Sequence, residues 1–445
     1  MVGVSLENTA LLEYWQYLDS NSLKNNLLNS LWYQHSQPPL FNLLLGIILK
    51  CSGTHASLVM EILLMTVSLL NGILLLRIMR HIAGNSRLPL VLSLIYLLSP
   101  ATILFENEIF YTSFLSMLLL TAVHFMINFA GKRNRLNAFG IFCALGLVCL
   151  TKSMYHLLWL SLVAGIILLF YRQKKEIRKL LPAVMLSLVL VGGWYVKNQL
   201  IFNSFSASSW TGMNLSRIVF QNVEVVDSQD IAFIGPFMPI SYYKSYISDD
   251  YKKKYGGIND PVLISETKNG RFMNMNNAGY LQVSRRFMET STGYAVQHPA
   301  KYLKNVFTAF VIYFTPASSY FKVVVNNNRI RYYDMFYSFN PAHLFKLETQ
   351  KKQALVLAAV PKFLAYFLVF FIVLRDTFRS GAKSMVEIFI IVTILFSLTV
   401  SSLLEYGENM RFRYELEPLF LVLVARAIMI SRQKPPLRNS KKIPV

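Results

Sequence analysis

Charge is scarce in this chain, and acidic charge scarcer still: only 15% of the 445 residues are charged, with 23 Asp and Glu set against 44 Lys and Arg. Together with 54% hydrophobic residues and a mean hydropathy of +0.41, that scarcity excludes a soluble globular protein of this length. Cysteine is nearly absent. Cys51, Cys143 and Cys149 lie in or beside apolar segments without metal-ligand spacing, which excludes a disulfide framework and a zinc site. No internal repeat, low-complexity tract, Walker loop or GxGxxG motif is present. The net charge of +21 would suit nucleic acid, but the basic residues recur in short clusters between apolar runs. That is a topological pattern, and nucleic acid is not an expected partner.

What is abundant is long apolar sequence. Measured against the roughly 20 residues that cross a bilayer, the runs predict an all-α polytopic membrane protein. About nine transmembrane helices are expected, near residues 56–77, 88–105, 109–130, 137–152, 154–171, 180–197, 354–375, 384–404 and 416–430. The Lys/Arg-rich loops RIMRHIAGNSR, GKRNRLN, YRQKKEIRK and LRDTFRSGAK and the tail SRQKPPLRNSKK then fall on one face, which the positive-inside rule makes cytoplasmic. Two apolar pieces fail the parity test as spans. Residues 38–50 read as a helix at the outer membrane surface started by a Pro pair, and 306–318 as a second interfacial or re-entrant helix.

Four regions follow: an exterior N-terminal segment with a juxtamembrane helix (1–55), transmembrane helices (56–197), an exterior loop region with an interfacial helix (198–353), and C-terminal spans with a basic cytoplasmic tail (354–445). Residues 198–305 lack a long helical period and are expected to be irregular, with short helices and a little strand. Residues 1–37 contain no apolar run able to anchor them outside. Either a first transmembrane helix lies upstream of this sequence, or the short segment is translocated with the first span; the former is the expectation.

Ionised groups at a membrane boundary are costly unless they face protein, water or a charged ligand. The stretch GENMRFRYELEP between the last two spans is therefore the leading candidate site, with Arg411 and Arg413 suited to a lipid phosphate and Glu408 to a substrate. Internal pairing with Glu405, Glu408, Glu415 or Glu417 is the competing, structural reading. Glu106 and Glu108 sit at the exterior mouth of two spans, where they read as an active-site pair or as ordinary loop acids. Lys152 and His156 are four apart, hence on one helical face, in a tight exterior turn; they read as phosphate and substrate contacts or as a snorkelling lysine with a core histidine. Glu13 and Asp19 are the acids of the N-terminal segment, alternatively a solvated helix face. His35 and Gln37 precede the Pro pair, where capping competes with substrate contact, and Trp210 and Asn214 frame the start of the exterior loop.

The order of HSQPPLFNLLLG, SPATILFENEIFYT, LVCLTKSMYHLLWL, GGWYVKNQLIFNSFSASSWTGMNL, QHPAKYLKN and GENMRFRYELEPLFLVL resembles that of the GT-C integral membrane glycosyltransferases. Within them it looks like the bacterial branch akin to dolichyl-phosphate-mannose protein mannosyltransferases and lipid A aminoarabinose transferases. The resemblance implies transfer of a sugar from a polyprenyl-phosphate donor, with inversion, to a lipid, glycan or protein acceptor on the exterior face of a bacterial inner membrane. It also implies a carboxylate base on the first exterior loop, here Glu13 or Asp19, a further acid from Glu106 or Glu108, and cations on the leaving phosphate. The family pattern places an Asp shortly before a Tyr in that loop, where this chain has Glu13-Tyr14-Trp15. No cofactor is required by this reading, though a divalent metal is compatible with it. The absent glycine loop and the short cytoplasmic loops favour a lipid-linked donor over a nucleotide sugar. A transporter or flippase of lipid-linked saccharides and a catalytically inactive GT-C-like subunit are the alternatives; the lack of a repeat and the gathering of charge at one face favour the enzyme.

Overall fold

The computed structural model describes residues 3–221, 230–338, 352–380 and 384–432. The expected basic tail beyond 432 and the end of the exterior loop at 339–351 lie outside the described residues. Within them the protein is α-helical, with one two-residue antiparallel hairpin, β1 (Thr267–Lys268) and β2 (Phe272–Met273).

Three short helices, α1 (Ala10–Glu13), α2 (Ser20–Asn25) and α3 (Leu27–Trp32), precede α4 (Leu40–Ser52) and α5 (Ala56–Ala83). Next come α6 (Leu88–Leu97), α7 (Pro100–Glu106), α8 (Thr112–Gly131), α9 (Arg135–Thr151), α10 (Leu157–Phe170) and α11 (Lys174–Phe202). Five stretches are long and apolar enough to span a membrane: Leu40–Ala83, Thr112–Gly131, Lys174–Phe202, Ala354–Arg379 and Met385–Leu404. α6 and α7 make a sixth if their 52° bend is a break within one span. The expected spans at 137–152, 154–171 and 416–430 are present as the shorter helices α9, α10 and α23 (Glu417–Arg432). The piece at 38–50, expected to lie on the surface, forms α4, which runs with α5 as a single 44-residue apolar stretch across a 3-10 turn at Gly53–His55.

α5 shows why these helices belong in lipid. It is apolar all round, the property of a span rather than of a surface helix. Met60, Leu64, Val67, Leu75 and Ile78 are buried on one face with Ser68 and Asn71, whose Nδ2 donates to the Ser113 carbonyl at 3.0 Å. Leu58, Ile62, Met65, Leu69 and Ile73, at the same three- and four-residue spacing, are exposed on the opposite face. A water-soluble protein would not carry that outer row.

The described residues of 198–338, expected to form an irregular exterior loop, are more helical than their sequence suggests. α12 (Thr211–Val219), α13 (Ile231–Ile234), α14 (Asp249–Gly256) and α15 (Pro261–Ile264) are short, but α16 (Gly279–Gln297) runs for 19 residues before α17 (Pro299–Tyr313). The helical period of α16 is legible only once its polar face is placed toward water. α12 packs tightly on it at Gly212, where an added Cβ would stand 1.9 Å from the Ser284 carbonyl oxygen. α18 (Val324–Arg329) and α19 (Arg331–Ser338) follow, then α20 (Lys352–Ser380), α21 (Met385–Leu404), α22 (Asn409–Tyr414) and α23.

Candidate functional site

α21 ends at Leu404, and Glu405 leaves it in extended conformation. Gly407 then takes φ +89°, a left-handed turn that favours glycine, and the chain re-enters helix as α22. Residues two apart on a helix diverge by about 200°, so Arg411 and Arg413 point to different sides. This separates two residues that the sequence suggests as a pair. Arg413 is buried against the Tyr313 carbonyl at 2.9 Å and the Thr315 carbonyl at 3.3 Å, and pairs with Glu417. Glu417 also meets Lys362 at 3.2 Å. That side is an internal network.

Arg411 faces the other way, into a ladder of alternating charge. Its Nη2 donates to Glu408 at 2.6 Å, three residues back, and Nη1 lies 3.5 Å from Glu415, four residues on. Lys152 closes one end, donating to both Glu415 oxygens at 2.7 Å. At the other end Arg217 of α12 meets Glu405 at 2.7 Å and Glu408 at 3.9 Å. Phe110, Tyr111, Tyr320 and Phe412 surround the Arg411 guanidinium at 4.4–5.6 Å. Arg411 is only 2% exposed, yet its Nε and Nη1 have no hydrogen-bond partner. Buried donors left open in this way suit a partner that brings acceptor oxygens.

The ladder borders a cavity of about 390 Å³. Lys152, Arg217, Arg411, Glu405 and Glu408 supply its ionised wall, Trp15, Trp210 and Phe237 an aromatic wall, and Gln37, His156 and Asn214 further polar groups. Seven residues singled out from the sequence thus meet at one cavity: Gln37, Lys152, His156, Trp210, Asn214, Glu408 and Arg411. Lys152 and His156 do so without sharing a helical face. Lys152 is extended at the end of α9, while His156 caps α10, its Nδ1 accepting from the Leu158 amide at 3.3 Å.

The remaining candidates lie elsewhere. Asp19 caps α2, accepting from the Ser22 amide at 2.9 Å and from the Asn269 amide at 2.6 Å, so it ties the N-terminal segment to the hairpin. Glu13 ends α1 away from the cavity lining. His35 is buried with Nδ1 2.8 Å from Ser209 Oγ, and burial together with the Lys197 charge pushes its imidazole down to about 3. Glu106 closes α7, also outside the lining. Glu108 is 1% exposed, accepts a hydrogen bond from the Tyr14 hydroxyl, and lies two residues before Phe110, the ring on which Arg411 stacks. Burial pushes the Glu108 carboxyl up to about 7 against the opposing effects of Tyr14, Lys322 and Arg411. It stands behind the cavity wall rather than on it.

Burial also raises the Glu415 carboxyl, although Lys152 and Arg411 pull the other way. Glu405 is raised by burial, only partly offset by Arg217. Burial acts upward on Glu408 too, but Arg411 and Arg217 outweigh it and leave that carboxyl below its ordinary value. Among the described residues no group of three or more His, Cys, Asp and Glu is arranged to hold a metal ion.

Arg217 and Phe237 are functional candidates not singled out from the sequence. Arg217 was within reach, since Trp210, Asn214 and Arg217 follow a four- and three-residue spacing along one helix face. Phe237 had no such signal. Its φ of +62° is costly for a bulky side chain, and the Tyr243 hydroxyl holds the turn by donating to the Gly235 carbonyl and accepting from the Met238 amide. The ring so placed stacks on Trp15 at 5.1 Å and 6°, and meets Trp210 edge-on at 5.5 Å and 81°.

No family model matches the chain, and no curated protein matches it in sequence. Among solved structures it is similar to the crystal structure of ArnT from Cupriavidus metallidurans in the apo state. The similarity covers 94% of this chain and 75% of that one, at 14% identity and a TM-score of 0.33. A likeness that coarse adds nothing to what the side chains themselves say about function.

Proposed function

We propose that this chain is an integral membrane glycosyltransferase of the GT-C type, which takes a sugar from a polyprenyl-phosphate donor and passes it with inversion to an acceptor on the exterior face of a bacterial inner membrane. The observation that carries this reading is the pair of open donors on Arg411, buried at a cavity whose wall also bears Lys152 and Arg217. A planar guanidinium presenting unused N–H groups suits a phosphate, which accepts two parallel hydrogen bonds.

In this reading the acceptor's hydroxyl or amine attacks the anomeric carbon as the bond from that carbon to the phosphate oxygen breaks. The electron pair leaves on the lipid phosphate, where Arg411 and Lys152 meet the growing charge. The acceptor's proton passes to a carboxylate on the cavity wall. Glu405 on the cavity wall is assigned that proton, because Glu408 is already engaged at 2.6 Å in orienting Arg411. Glu108 and Tyr14 hold the Phe110 and Tyr111 side of the guanidinium, while Trp15, Trp210 and Phe237 offer flat apolar faces for a sugar ring.

The test supplies radiolabelled polyprenyl-phosphate sugars to purified protein with membrane extract, comparing wild type with Glu405→Gln, Glu108→Gln, Glu13→Gln and Arg411→Ala. The expected outcome is a new glycosidic product that is lost with Arg411→Ala and Glu405→Gln and retained with Glu13→Gln. Equal transfer by all variants refutes the site. Movement of label across the bilayer without a new bond replaces the enzyme by a transporter of lipid-linked saccharides.

A further inference from the structure

α18 and α19 lie outside the cavity, and neither forms part of an apolar run long enough to span. Their inward row is set by Val323, Asn326, Ile330 and Asp334, at three- and four-residue spacing, and all are buried or half-buried. The outward row is Phe321, Val324, Val325, Tyr332 and Met335, exposed by 37–83%, with Arg329 and Arg331 beside it. Apolar and basic residues sharing one exposed side is costly in water and ordinary at a phospholipid headgroup layer.

Two contacts say where that side lies. The Tyr333 hydroxyl donates to the Leu98 carbonyl and the Tyr337 hydroxyl to the Ile95 carbonyl, fastening α19 across the end of α6. α6 exposes Leu90, Val91, Leu94 and Ile95, and Leu98 just past its end is exposed too, a surface that faces lipid in a membrane-embedded helix. The outward row of α18 and α19 continues that surface past the helix end. Tyrosines at such a boundary present a polar tip and an apolar body, the usual arrangement at the membrane interface.

We infer that Phe321–Ser338 is a membrane-surface anchor, seated in the phospholipid headgroup layer of the leaflet that meets the α6–α7 bend. Four contacts join the anchor and the residue before it to the N-terminal segment and the cavity wall. Arg329 reaches the Gly3 carbonyl, and Asn326 holds Ser5 at 2.8 Å, so it grips the start of the described chain. Lys322 lies over the Tyr14 ring at 4.3 Å, and Tyr320, just before the anchor, reaches Glu408 at 3.4 Å. Bilayer contact thereby sets the position of the segment that carries Tyr14.

The experiment uses the full chain in phosphatidylglycerol-containing nanodiscs, with the exposed cysteines removed as Cys51→Ser and Cys143→Ser and a nitroxide placed at Tyr332→Cys or Val325→Cys. Tyr242→Cys, exposed on the exterior region, is the reference. The ratio of collisions with oxygen to collisions with a water-soluble nickel chelate is expected to be several-fold higher at 325 and 332 than at 242. Equal ratios at all three positions overturn the anchor. Shielding of 325 and 332 from both reagents overturns it as well, in favour of a protein partner. Neither outcome touches the assignment of the cavity, which is read by transfer of label.

Discussion

Arg411 and Arg413 are both within 2% of full burial and lie two residues apart, so replacing each in turn separates catalysis from structure. Arg411→Ala removes the guanidinium but strands no carboxylate completely. Glu408 keeps Arg217 at 3.9 Å and the Tyr320 hydroxyl at 3.4 Å, and Glu415 keeps Lys152 through both oxygens. The stability cost is therefore that of charged hydrogen bonds, about 1–3 kcal/mol, and not the full cost of an uncompensated buried charge. If the open donors serve the leaving phosphate, the rate falls by about 10²–10³, the effect of removing one preorganised donor. Arg413→Ala, by contrast, frees the Tyr313 and Thr315 carbonyls and leaves Glu417 with Lys362 alone. It is expected to unfold at the same or lower temperature than Arg411→Ala while the folded fraction keeps its transfer rate.

The assay is label transfer per folded molecule, with folding scored by thermal unfolding in detergent. Arg411→Lys adds a check on geometry, since an ammonium keeps the charge but not the planar fork. It is expected to fold like wild type and still transfer slowly. If rate follows thermal stability across all three variants, the ladder is a structural ion network and the phosphate assignment falls.

Lys152→Met leaves the fully buried Glu415 with only Arg411 at 3.5 Å, and is expected to cost about 3–5 kcal/mol in chemical unfolding, with Glu415→Leu added to it restoring much of the loss. Gly212→Ala puts a methyl against the Ser284 carbonyl, forcing α12 from α16 at about 1–3 kcal/mol and carrying Arg217 from the cavity wall, so both unfolding temperature and transfer rate should drop. Glu108 tests the pH dependence. Because burial raises its carboxyl from 4.5 to about 7, its contribution to stability is whole below pH 4.5 and is lost as pH rises through 7. Glu108→Gln should flatten the fall in unfolding temperature over that window, removing a term on the order of 3 kcal/mol; an unchanged slope refutes the burial argument.

The contrast between what was and was not legible in the sequence follows from the range of each signal. Apolar runs are local, so all nine expected spans correspond to helices, though α9, α10 and α23 are shorter than a full crossing and α6–α7 is bent. Boundary charge is also local, which is why Arg411, Glu408 and Lys152 stand out in the sequence. The pairing of charges is not. Nothing near Arg217 in the chain announces Glu405, 188 residues away, and Asp19 looks like a free acid until Asn269 is brought to it. The division of labour between Arg411 and Arg413 was available from helix geometry alone, since two steps along α22 turn one side chain away from the other. Adjacency in sequence suggested a phosphate clamp, whereas the helix builds one arginine into the protein and turns the other toward the cavity. On that account the decisive feature is unspent hydrogen-bonding capacity: Arg413 keeps Nε, Nη1 and Nη2 all engaged, whereas Arg411 hydrogen-bonds only through Nη2, its Nη1 held by a 3.5 Å ion pair with Glu415 and its Nε without a partner.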